Sequence, residues 1–257
     1  MIHVSAYQDQ RVVVTGAGGG IGAALAQRFA AEGATVVVND LDPVKAASVA
    51  EGIGDRALAV PGDASTIVER AREALGGTVD VYCANAGLAS GGDAFVDEAV
   101  WEAAWDVNVM AHVRAARALL PDWLERGNGR FVSTVSAAGL LTMIGAAPYS
   151  VTKHGALAFA EWLSLTYRHR GVQVHAVCPQ GVRTDMLTAA GSAGELVLAP
   201  TAIEPEAVAN ALFDGMEKGR FLILPHPEVA DYHVARATDP DRWLTNMNHL
   251  QQKWETR

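Results

Sequence analysis

Short apolar runs alternate with stretches of helical composition along most of the chain. The runs are rich in valine, which is typical of strands that are buried on both faces of a sheet. Strands that alternate with helices are joined by right-handed crossovers, and these place helices on both faces of a parallel sheet. The pattern therefore predicts an α/β fold with one doubly wound parallel sheet of about seven strands. The predicted strands cover residues 11–14, 35–40, 57–60, 79–83, 130–135, 173–177 and 221–224.

A glycine-rich turn follows the first predicted strand. Gly16, Gly20 and Gly22 allow the backbone to approach a ligand closely and allow a helix to pack on the strand. The turn ends at a predicted helix N-terminus, whose free N–H groups suit a diphosphate. The G-x-x-x-G-x-G spacing differs from the commoner G-x-G-x-x-G, and a turn without a ligand is the alternative. Because strand, helix and second strand follow in register, we interpret the turn, with Gly19 and Ile21, as a dinucleotide site.

An acidic residue, Asp40, follows the second apolar run, about twenty residues beyond the glycine turn. A carboxylate at this place can accept hydrogen bonds from both ribose hydroxyls of adenosine, and it repels a 2′-phosphate. The alternative is that Asn39 and Asp40 only form a turn. We interpret Asp40 as a ribose ligand, which predicts NAD as the cofactor and makes NADP less favoured.

Two further strand ends carry candidate cofactor contacts. After the third predicted strand, Asp63 and Ala64 could face the adenine ring, although Asp63 could equally cap the helix that follows. After the fourth, Asn85, Ala86 and Gly87 form a small-residue turn beside the predicted path of the cofactor. Asn85 could either contact the ligand or join adjacent strands through hydrogen bonds.

Tyr149 and Lys153 are the residues that the sequence marks out for proton transfer. Their i, i+4 spacing places both on one face of a helix. A cation near a phenol stabilises the phenolate, so we expect the pKa of Tyr149 to be lowered from about 10 toward neutrality. Such a phenol can exchange a proton with an alcohol or a ketone, and Ser136, just past the fifth predicted strand, can bind the same oxygen. Y-x-x-x-K alone is common on surface helices, but Pro148 places a helix start at the correct end of the sheet.

The composition limits the class of protein and its partners. The net charge is −9 and the basic residues are scattered, which argues against nucleic-acid binding. No apolar run approaches the ~20 residues of a membrane span, and residues 1–5 lack the features of a signal peptide, so we expect a cytoplasmic protein. Cys83 and Cys178 match no metal-ligand spacing, and we predict no metal site. We expect residues 1–257 to form a single domain.

Taken in order, these motifs resemble those of the short-chain dehydrogenases/reductases of the common single-domain type, which have a Rossmann fold. The resemblance covers the chain from about residue 9 to residue 225. It adds Asn108 and the Pro179-x-x-Val182-x-Thr184 motif to the residues already named. So many motifs in the family's order are very unlikely to arise by chance.

The resemblance implies a role for each matching residue. Tyr149 would be the general acid/base, and Ser136 would orient and polarise the substrate oxygen. Lys153 would lower the pKa of Tyr149 and bind the ribose hydroxyls next to nicotinamide. Asn108 would hold a water that links Lys153 to solvent. The nicotinamide itself would be contacted by Pro179, Val182 and Thr184.

Two positions depart from the family pattern. Ala84 stands where the family usually has the first of two asparagines, which is a mild change. Gln180 stands where the family has glycine after the proline, Pro179. A side chain there could restrict the backbone beside the nicotinamide, reach into the pocket and contact substrate, or point outward.

A segment at about residues 185–204 corresponds to the substrate lid of the family. Gly191 and Gly194 would permit hinge motion, and an ordinary surface loop is the alternative. Leu140 and Met143 belong to a group of apolar residues that follows the fifth predicted strand. These residues predict a mostly apolar pocket, so we expect a hydrophobic secondary alcohol or ketone as the substrate.

The tail, at about residues 226–257, departs from the usual family ending. We predict two helices that are split at Asp239-Pro240 and that pack on the subunit's own core or, less commonly, across a subunit interface. Related proteins form dimers through the long helices predicted here at 100–126 and 149–170. We therefore expect a homodimer or homotetramer.

Together, these features predict an NAD-dependent alcohol dehydrogenase or carbonyl reductase that acts on a small molecule. Nucleotide-sugar epimerases and dehydratases also use a nucleotide and a Tyr–Lys pair, but they usually have a second substrate lobe. A non-catalytic NAD(H)-binding sensor is the other alternative. It would not need the complete set of Asn108, Ser136, Tyr149 and Lys153.

Overall fold

A sheet of parallel strands forms the centre of the computed structural model, which describes residues 5–189 and 198–256. The strands are β1 (Arg11–Val14), β2 (Thr35–Val38), β3 (Ala57–Ala59), β4 (Val81–Ala84), β5 (Gly129–Thr134), β6 (Val172–Val177) and β7 (Leu222–Ile223). All seven pair in parallel, in the order β3-β2-β1-β4-β5-β6-β7. The predicted fold class is therefore confirmed.

Helices connect the strands and cover both faces of the sheet. Those before β5 are α1 (Gly20–Ala31), α2 (Pro43–Ile53), α3 (Val68–Leu75), α4 (Glu98–Trp105) and α5 (Ala111–Arg126). Those after β5 are α6 (Ala138–Leu141), α7 (Ala147–Tyr167), α8 (Asp185–Ala189), α9 (Pro205–Glu217), α10 (Glu228–Thr238) and α11 (Pro240–Glu255). Short 3₁₀ turns lie at Arg168–Arg170 and Ala199–Thr201.

The strand order reverses next to β1. The chain moves outward from β1 through β2 to β3, and then returns to place β4 on the other side of β1, where Val12 pairs with both Val36 and Val81. In open α/β sheets, ligands bind at such a switch point, at the carboxyl ends of the strands. This edge of the sheet therefore carries the candidate site.

Each face of the sheet is covered by its own apolar cluster. On one face, Tyr82 and Phe131 stack with ring centroids 5.9 Å apart, and the fully buried Trp123 packs in the same cluster. On the other face, Phe29 and Phe213 lie 4.7 Å apart. Burying one such side chain contributes about 1.5–3 kcal/mol, so the two clusters hold the helices firmly against the sheet.

The helix predicted at 100–126 is interrupted by one π turn, Asp106–Met110. In this turn the N–H of Ala111 donates to the carbonyl oxygen of Asp106, one residue farther back than in an α-helix. The physical reason is tertiary, because Asn108 in this turn is hydrogen-bonded to Leu88, a residue outside the helix. Such π turns frequently occur at functional sites.

The tail forms the two predicted helices, and Asp239 separates them as expected. The Asp239 side chain accepts a hydrogen bond from the N–H of Arg242 and caps α11. Tyr232 on α10 and Trp243 on α11 have ring centroids 6.3 Å apart, and Trp243 packs against the core of its own chain. None of the helices in the described ranges is long and apolar enough to cross a membrane.

Candidate active site

A cleft of about 1090 Å³ lies at the carboxyl ends of the strands, beside the switch point. The glycine turn forms one end of the cleft, and the start of α7 lies near its middle. Apolar residues from the α6 region, α8 and α11 form the other end. Most of the candidate cofactor residues and the candidates Ser136, Tyr149 and Lys153 line this cleft.

The glycine turn is shaped so that a ligand can approach its backbone. Gly16 has a φ of +61°, and a Cβ on it would lie 2.8 Å from the Cα of Ala86. A Cβ on Gly22 would overlap the carbonyl oxygen of Gly16. By contrast, a Cβ on Gly19 would have no heavy atom within 4 Å, because this residue faces open space. The turn is thus tightly packed on the protein side and open on the cleft side, which fits a diphosphate.

The N-terminus of α1 points into this end of the cleft. No described side chain caps it, since the N-cap residue is Gly19. Its first N–H groups and the positive end of the helix dipole can therefore bind an anion. Ile21, at the first turn of α1, also lines the cleft.

Asp40 is held in place beside the glycine turn. One carboxylate oxygen accepts a hydrogen bond from the N–H of Gly18 at 3.0 Å, and the other accepts one from the N–H of Asp42 at 3.0 Å. Lys45 lies close by, and its ammonium is 3.5 Å from the carboxylate of Asp185 at the start of α8. The carboxylate of Asp40 is thus fixed beside the glycine turn, and its contact with the adenosine ribose stays a prediction.

Asn85 joins two loops of the cleft floor. Its side chain donates to the carbonyl oxygens of Thr15 at 2.9 Å and Gly16 at 3.2 Å. The Thr15 hydroxyl in turn accepts from the N–H groups of Asn85 and Ala86 at 3.0 Å. Asn85, Ala86 and Gly87 all line the cleft. The hydrogen bonds of Asn85 join adjacent strands, which is one of its two predicted roles, and a contact between Asn85 and the ligand stays a prediction.

Asp63 and Ala64 are not among the residues that line the cleft. The carboxylate of Asp63 accepts a hydrogen bond from the N–H of Ser65 at 2.8 Å and closes the local turn before α3. Asp63 does not cap α3 either, because the N-cap residue of that helix is Ile67.

Asn108 is fully buried, and all of its side-chain hydrogen-bonding groups are used. The side-chain oxygen accepts from the N–H of Leu88 at 2.9 Å, and the amide donates to Leu88 O and to the hydroxyl of Thr152, both at 3.0 Å. Thr152 lies next to Lys153 on α7. Asn108 therefore fixes the π turn against the catalytic helix, and the water that the family resemblance assigns to it stays a prediction.

Tyr149, Ser136 and Lys153 are brought together as expected. Tyr149 and Lys153 lie one turn apart on α7, with the ammonium nitrogen 5.6 Å from the centroid of the phenol ring. Ser136 and Tyr149 line the same cleft, and interaction with the Ser136 side chain lowers the pKa of the phenol. Lys153 is buried and donates to the carbonyl oxygen of Thr134, the last residue of β5, at 3.0 Å.

The expected lowering of the Tyr149 pKa is wrong for the polypeptide alone. Burial raises the pKa of Tyr149 above its ordinary value, and the hydrogen bond from Ser136 offsets only part of this effect. Burial also lowers the pKa of Lys153 to about 8. Desolvation disfavours the charged form of both groups, so proximity of the pair does not by itself produce a phenolate at neutral pH.

The loop after β6 forms another side of the cleft and reaches the glycine turn, where a Cβ on Gly20 would lie 2.8 Å from the side chain of Thr184. The carbonyl oxygen of Pro179 accepts a hydrogen bond from the N–H of Ala137, the residue after Ser136, at 2.7 Å. Val182 pairs with Ile203 in an isolated bridge. Pro179, Val182 and Thr184 all line the cleft, where the family resemblance places the nicotinamide.

The far end of the cleft is apolar, and part of it comes from a region that sequence analysis did not assign to the site. Residues 190–197 of the predicted lid, including Gly191 and Gly194, lie outside the described residues. The tail helices contribute apolar side chains to this end of the cleft, a position that the sequence pattern did not predict. The apolar wall is formed by Leu141, Met143, Ile144, Leu198, Trp243, Met247 and Leu250.

A model of the family described as short chain dehydrogenase matches residues 10–194. The chain belongs to the short-chain dehydrogenase/reductase family. It is 34% identical over 240 residues to 1-deoxy-11-beta-hydroxypentalenate dehydrogenase of Streptomyces exfoliatus, and the match covers 86% of this chain and 84% of that relative.

Solved structures of the family have the same fold. A short-chain dehydrogenase/reductase from Burkholderia phymatum in complex with NAD matches with a TM-score of 0.84 and 26% identity, over 91% of this chain and 95% of that one. A short-chain dehydrogenase from Sphingobium yanoikuyae in complex with NADPH matches with a TM-score of 0.78 and 27% identity, over 92% and 95% of the two chains. The protein is an oxidoreductase of this family with a nicotinamide dinucleotide cofactor.

The described residues fit such a cofactor. The open side of Gly19 and the N-terminus of α1 suit the diphosphate, and Asp40 suits a ribose. Lys153 lies near the middle of the cleft, where Gly87 leaves room because a Cβ there would be 3.3 Å from the ammonium nitrogen. When bound, the nicotinamide donates or accepts a hydride. Among residues 5–189 and 198–256, no group of three His, Cys, Asp or Glu side chains could hold a metal ion.

Proposed function

We propose that this family member is an NAD(H)-dependent oxidoreductase that interconverts an apolar secondary alcohol and its ketone. The observation that carries the proposal is the placement of Ser136 and Tyr149 in one cleft, beside the buried Lys153 and facing an apolar wall. A phenol and a hydroxyl that converge on one point can hold a single substrate oxygen. This arrangement suits proton transfer to or from that oxygen.

In ketone reduction, the phenol of Tyr149 donates its proton to the substrate oxygen as negative charge develops there. The hydroxyl of Ser136 keeps this oxygen within reach of the phenol. Lys153 stabilises the phenolate that remains, since its ammonium is held on the same helix face by the carbonyl oxygen of Thr134. In alcohol oxidation, each group acts in the reverse sense.

Asp40 supports NAD rather than NADP as the cofactor. Its two carboxylate oxygens are held by the N–H groups of Gly18 and Asp42, so the side chain cannot easily turn away. A carboxylate at this place accepts ribose hydroxyls and repels a 2′-phosphate. Lys45 is the nearby cation that could offset this repulsion, but it is paired with Asp185.

The composition of the cleft wall supports an apolar substrate. Leucine, isoleucine, methionine and tryptophan side chains dominate the end of the cleft that lies away from the glycine turn. Arg183 is the one cation that lines this part in the described chain, and its guanidinium is 2.9 Å from the carboxylate of Glu204. The cleft therefore offers little to a strongly anionic substrate. The hydroxypentalenate dehydrogenase of S. exfoliatus is a relative whose named substrate carries a hydroxyl group.

We also propose that the protein is a homodimer or homotetramer. The outward surface of α4 and α7 carries large apolar residues that are exposed in the single chain, among them Trp105, Trp162 and Leu165, the last with 83% exposure. Exposed apolar patches of this kind are typical of interfaces between subunits.

The experiment that tests the cofactor assignment is a titration of the purified protein with NADH and with NADPH, followed by nicotinamide fluorescence. We expect the wild-type protein to bind NADH at least tenfold more tightly. Asp40→Ser removes the carboxylate and should reduce this preference by about tenfold or more. Asp40→Asn is the matched control for the hydrogen bonds to Gly18 and Asp42, since it keeps one acceptor without the charge. A wild-type preference for NADPH would refute the role of Asp40.

Turnover separates the enzyme from a non-catalytic NAD(H) sensor. We expect NAD-linked oxidation of cyclic and aromatic secondary alcohols to exceed oxidation of charged sugars and hydroxy acids. A preference for the charged compounds would refute the apolar substrate. Tight NADH binding without turnover of any alcohol would favour the sensor.

A further inference from the structure

Gln180 places a polar side chain in the cleft, at the position where the family pattern has glycine. We propose that Gln180 is a specificity-determining residue whose amide binds a second oxygen atom of the substrate, close to the oxygen that reacts. This inference rests on the proposed function. The implied substrate class is a largely apolar secondary alcohol or ketone with a second hydroxyl or carbonyl group nearby.

Strand pairing places Gln180 near the reacting oxygen. β5 and β6 are neighbours, and their pairing continues past the strand ends, where Val135 N donates to Val177 O at 2.8 Å and Ala137 N donates to Pro179 O at 2.7 Å. Ser136 is the neighbour of Ala137, which donates this last hydrogen bond, and Gln180 is the neighbour of Pro179, which accepts it. Neighbouring backbones in such a pair are about 5 Å apart, so one small molecule can contact both side chains.

The backbone of Gln180 is held by a buried histidine. His226, which is 2% exposed, accepts a hydrogen bond from the N–H of Gln180 at its Nδ1, at 3.1 Å. Because Nδ1 is the acceptor, Nε2 carries the proton, and it donates to the carbonyl oxygen of Thr201 at 3.2 Å. The imidazole thus joins the loop after β6 to the 3₁₀ turn at Ala199–Thr201. The backbone of Gln180 is therefore fixed in position by these hydrogen bonds.

The side chain of Gln180 keeps hydrogen-bonding capacity to spare. Its Oε1 accepts a bond from the hydroxyl of Thr201 at 3.4 Å, and no described residue accepts from its amide nitrogen. Gln180 lines the cleft and its amide is exposed there, so the remaining groups of the amide are available to a substrate oxygen. This capacity is what the glycine of the family pattern lacks.

The test compares substrates that differ by one oxygen. Cyclohexanol, trans-cyclohexane-1,2-diol and cyclohexane-1,3-diol are oxidised with NAD by the wild-type protein and by three variants. Gln180→Met keeps the length of the side chain but cannot donate a hydrogen bond, and Gln180→Gly restores the family residue. Gln173→Met is the matched control, because it makes the same change at an exposed position of β6, outside the cleft.

We expect Gln180→Met and Gln180→Gly to lower kcat/KM for one or both diols, relative to cyclohexanol, by about five- to tenfold. The loss for cyclohexanol should be smaller than the loss for the diols, Kd for NADH should change by less than threefold, and Gln173→Met should behave as the wild type. An unchanged diol ratio in both Gln180 variants would overturn the inference. So would weaker NADH binding with an equal loss for all three alcohols, because Gln180 would then contact the cofactor. No oxidation of any alcohol by the wild type would overturn the proposed function itself.

Discussion

The ammonium nitrogen of Lys153 lies 5.6 Å from the centroid of the Tyr149 ring, one helical turn away on α7. The ammonium is anchored to the carbonyl oxygen of Thr134 at the end of β5. Ser136, two residues beyond Thr134, lines the same cleft as the phenol. The end of β5 therefore holds the ammonium in place and carries a hydroxyl into the cleft beside the phenol.

This geometry predicts that the Tyr149 hydroxyl is required for turnover but not for folding or cofactor binding. Tyr149→Phe removes the hydroxyl group that carries the transferred proton and keeps the ring. We expect kcat to fall by about 10²- to 10⁴-fold, the usual contribution of general acid–base catalysis, with Kd for NADH changed by less than threefold. Initial rates and fluorescence titration measure the two quantities.

Tyr167→Phe is the control for this prediction. It makes the same change near the end of α7, where Tyr167 packs against Trp162 and does not line the cleft. Its kcat should equal that of the wild type. Comparable activity of Tyr149→Phe and Tyr167→Phe would show that another group transfers the proton.

Burial of Lys153 predicts a pH dependence of stability. Its pKa falls from an ordinary value of 10.5 to about 8 in the folded protein. Between these values the unfolded chain binds more protons than the folded chain, so the contribution of Lys153 to the free energy of unfolding rises with pH. The increase from pH 8 to pH 10.5 is at most about 3 kcal/mol.

Urea denaturation of the protein without added nucleotide, between pH 7.5 and 10.5, measures this effect. Lys153→Met lacks the titrating group, so the wild type should gain stability relative to this variant as the pH rises through the window. Lys253→Met removes an exposed lysine from α11 and should follow the wild type at each pH. Parallel profiles for the wild type and Lys153→Met would contradict the burial argument.

The sequence predicted what depends on local pattern. The runs of valine located the strands, because strands buried on both faces need continuous apolar residues. The i, i+4 spacing located Tyr149 and Lys153, because helix geometry alone places such residues on one face. Asp40 follows the second predicted strand, and it lines the cleft because the carboxyl ends of parallel strands meet at one edge of the sheet.

Long-range contacts account for what the sequence did not predict. The π turn exists because Asn108 binds Leu88, and nothing in the helix itself signals this contact. The pKa of Tyr149 is raised because burial outweighs the opposing effect of Ser136, and burial is a property of the tertiary fold. Thr134 acts through its carbonyl oxygen, which every residue has, so no side-chain pattern could reveal it.

The packing of α11 predicts that the tail selects the substrate. Trp243, Met247 and Leu250 follow at helical spacing and line the apolar end of the cleft, while Leu244 on the same helix is 63% exposed. Trp254 extends this stripe and lies against Gly145, where a Cβ would be 3.0 Å from its ring. The helix is thus a wall of the pocket, and its apolar side chains are available to a bound substrate.

We expect Met247→Ala to raise KM for apolar alcohols by about three- to tenfold, because the variant removes apolar contact area from the pocket but leaves kcat and NADH binding unchanged. Trp243→Ala should have a larger effect on KM, together with a lower thermal stability, since Trp243 also packs on the core. Leu244→Ala is the matched control on the outward face of α11, and its KM should be that of the wild type. If Met247→Ala and Leu244→Ala give the same KM, then α11 does not contact the substrate, and selection must come from the α6 region and the segment after β6.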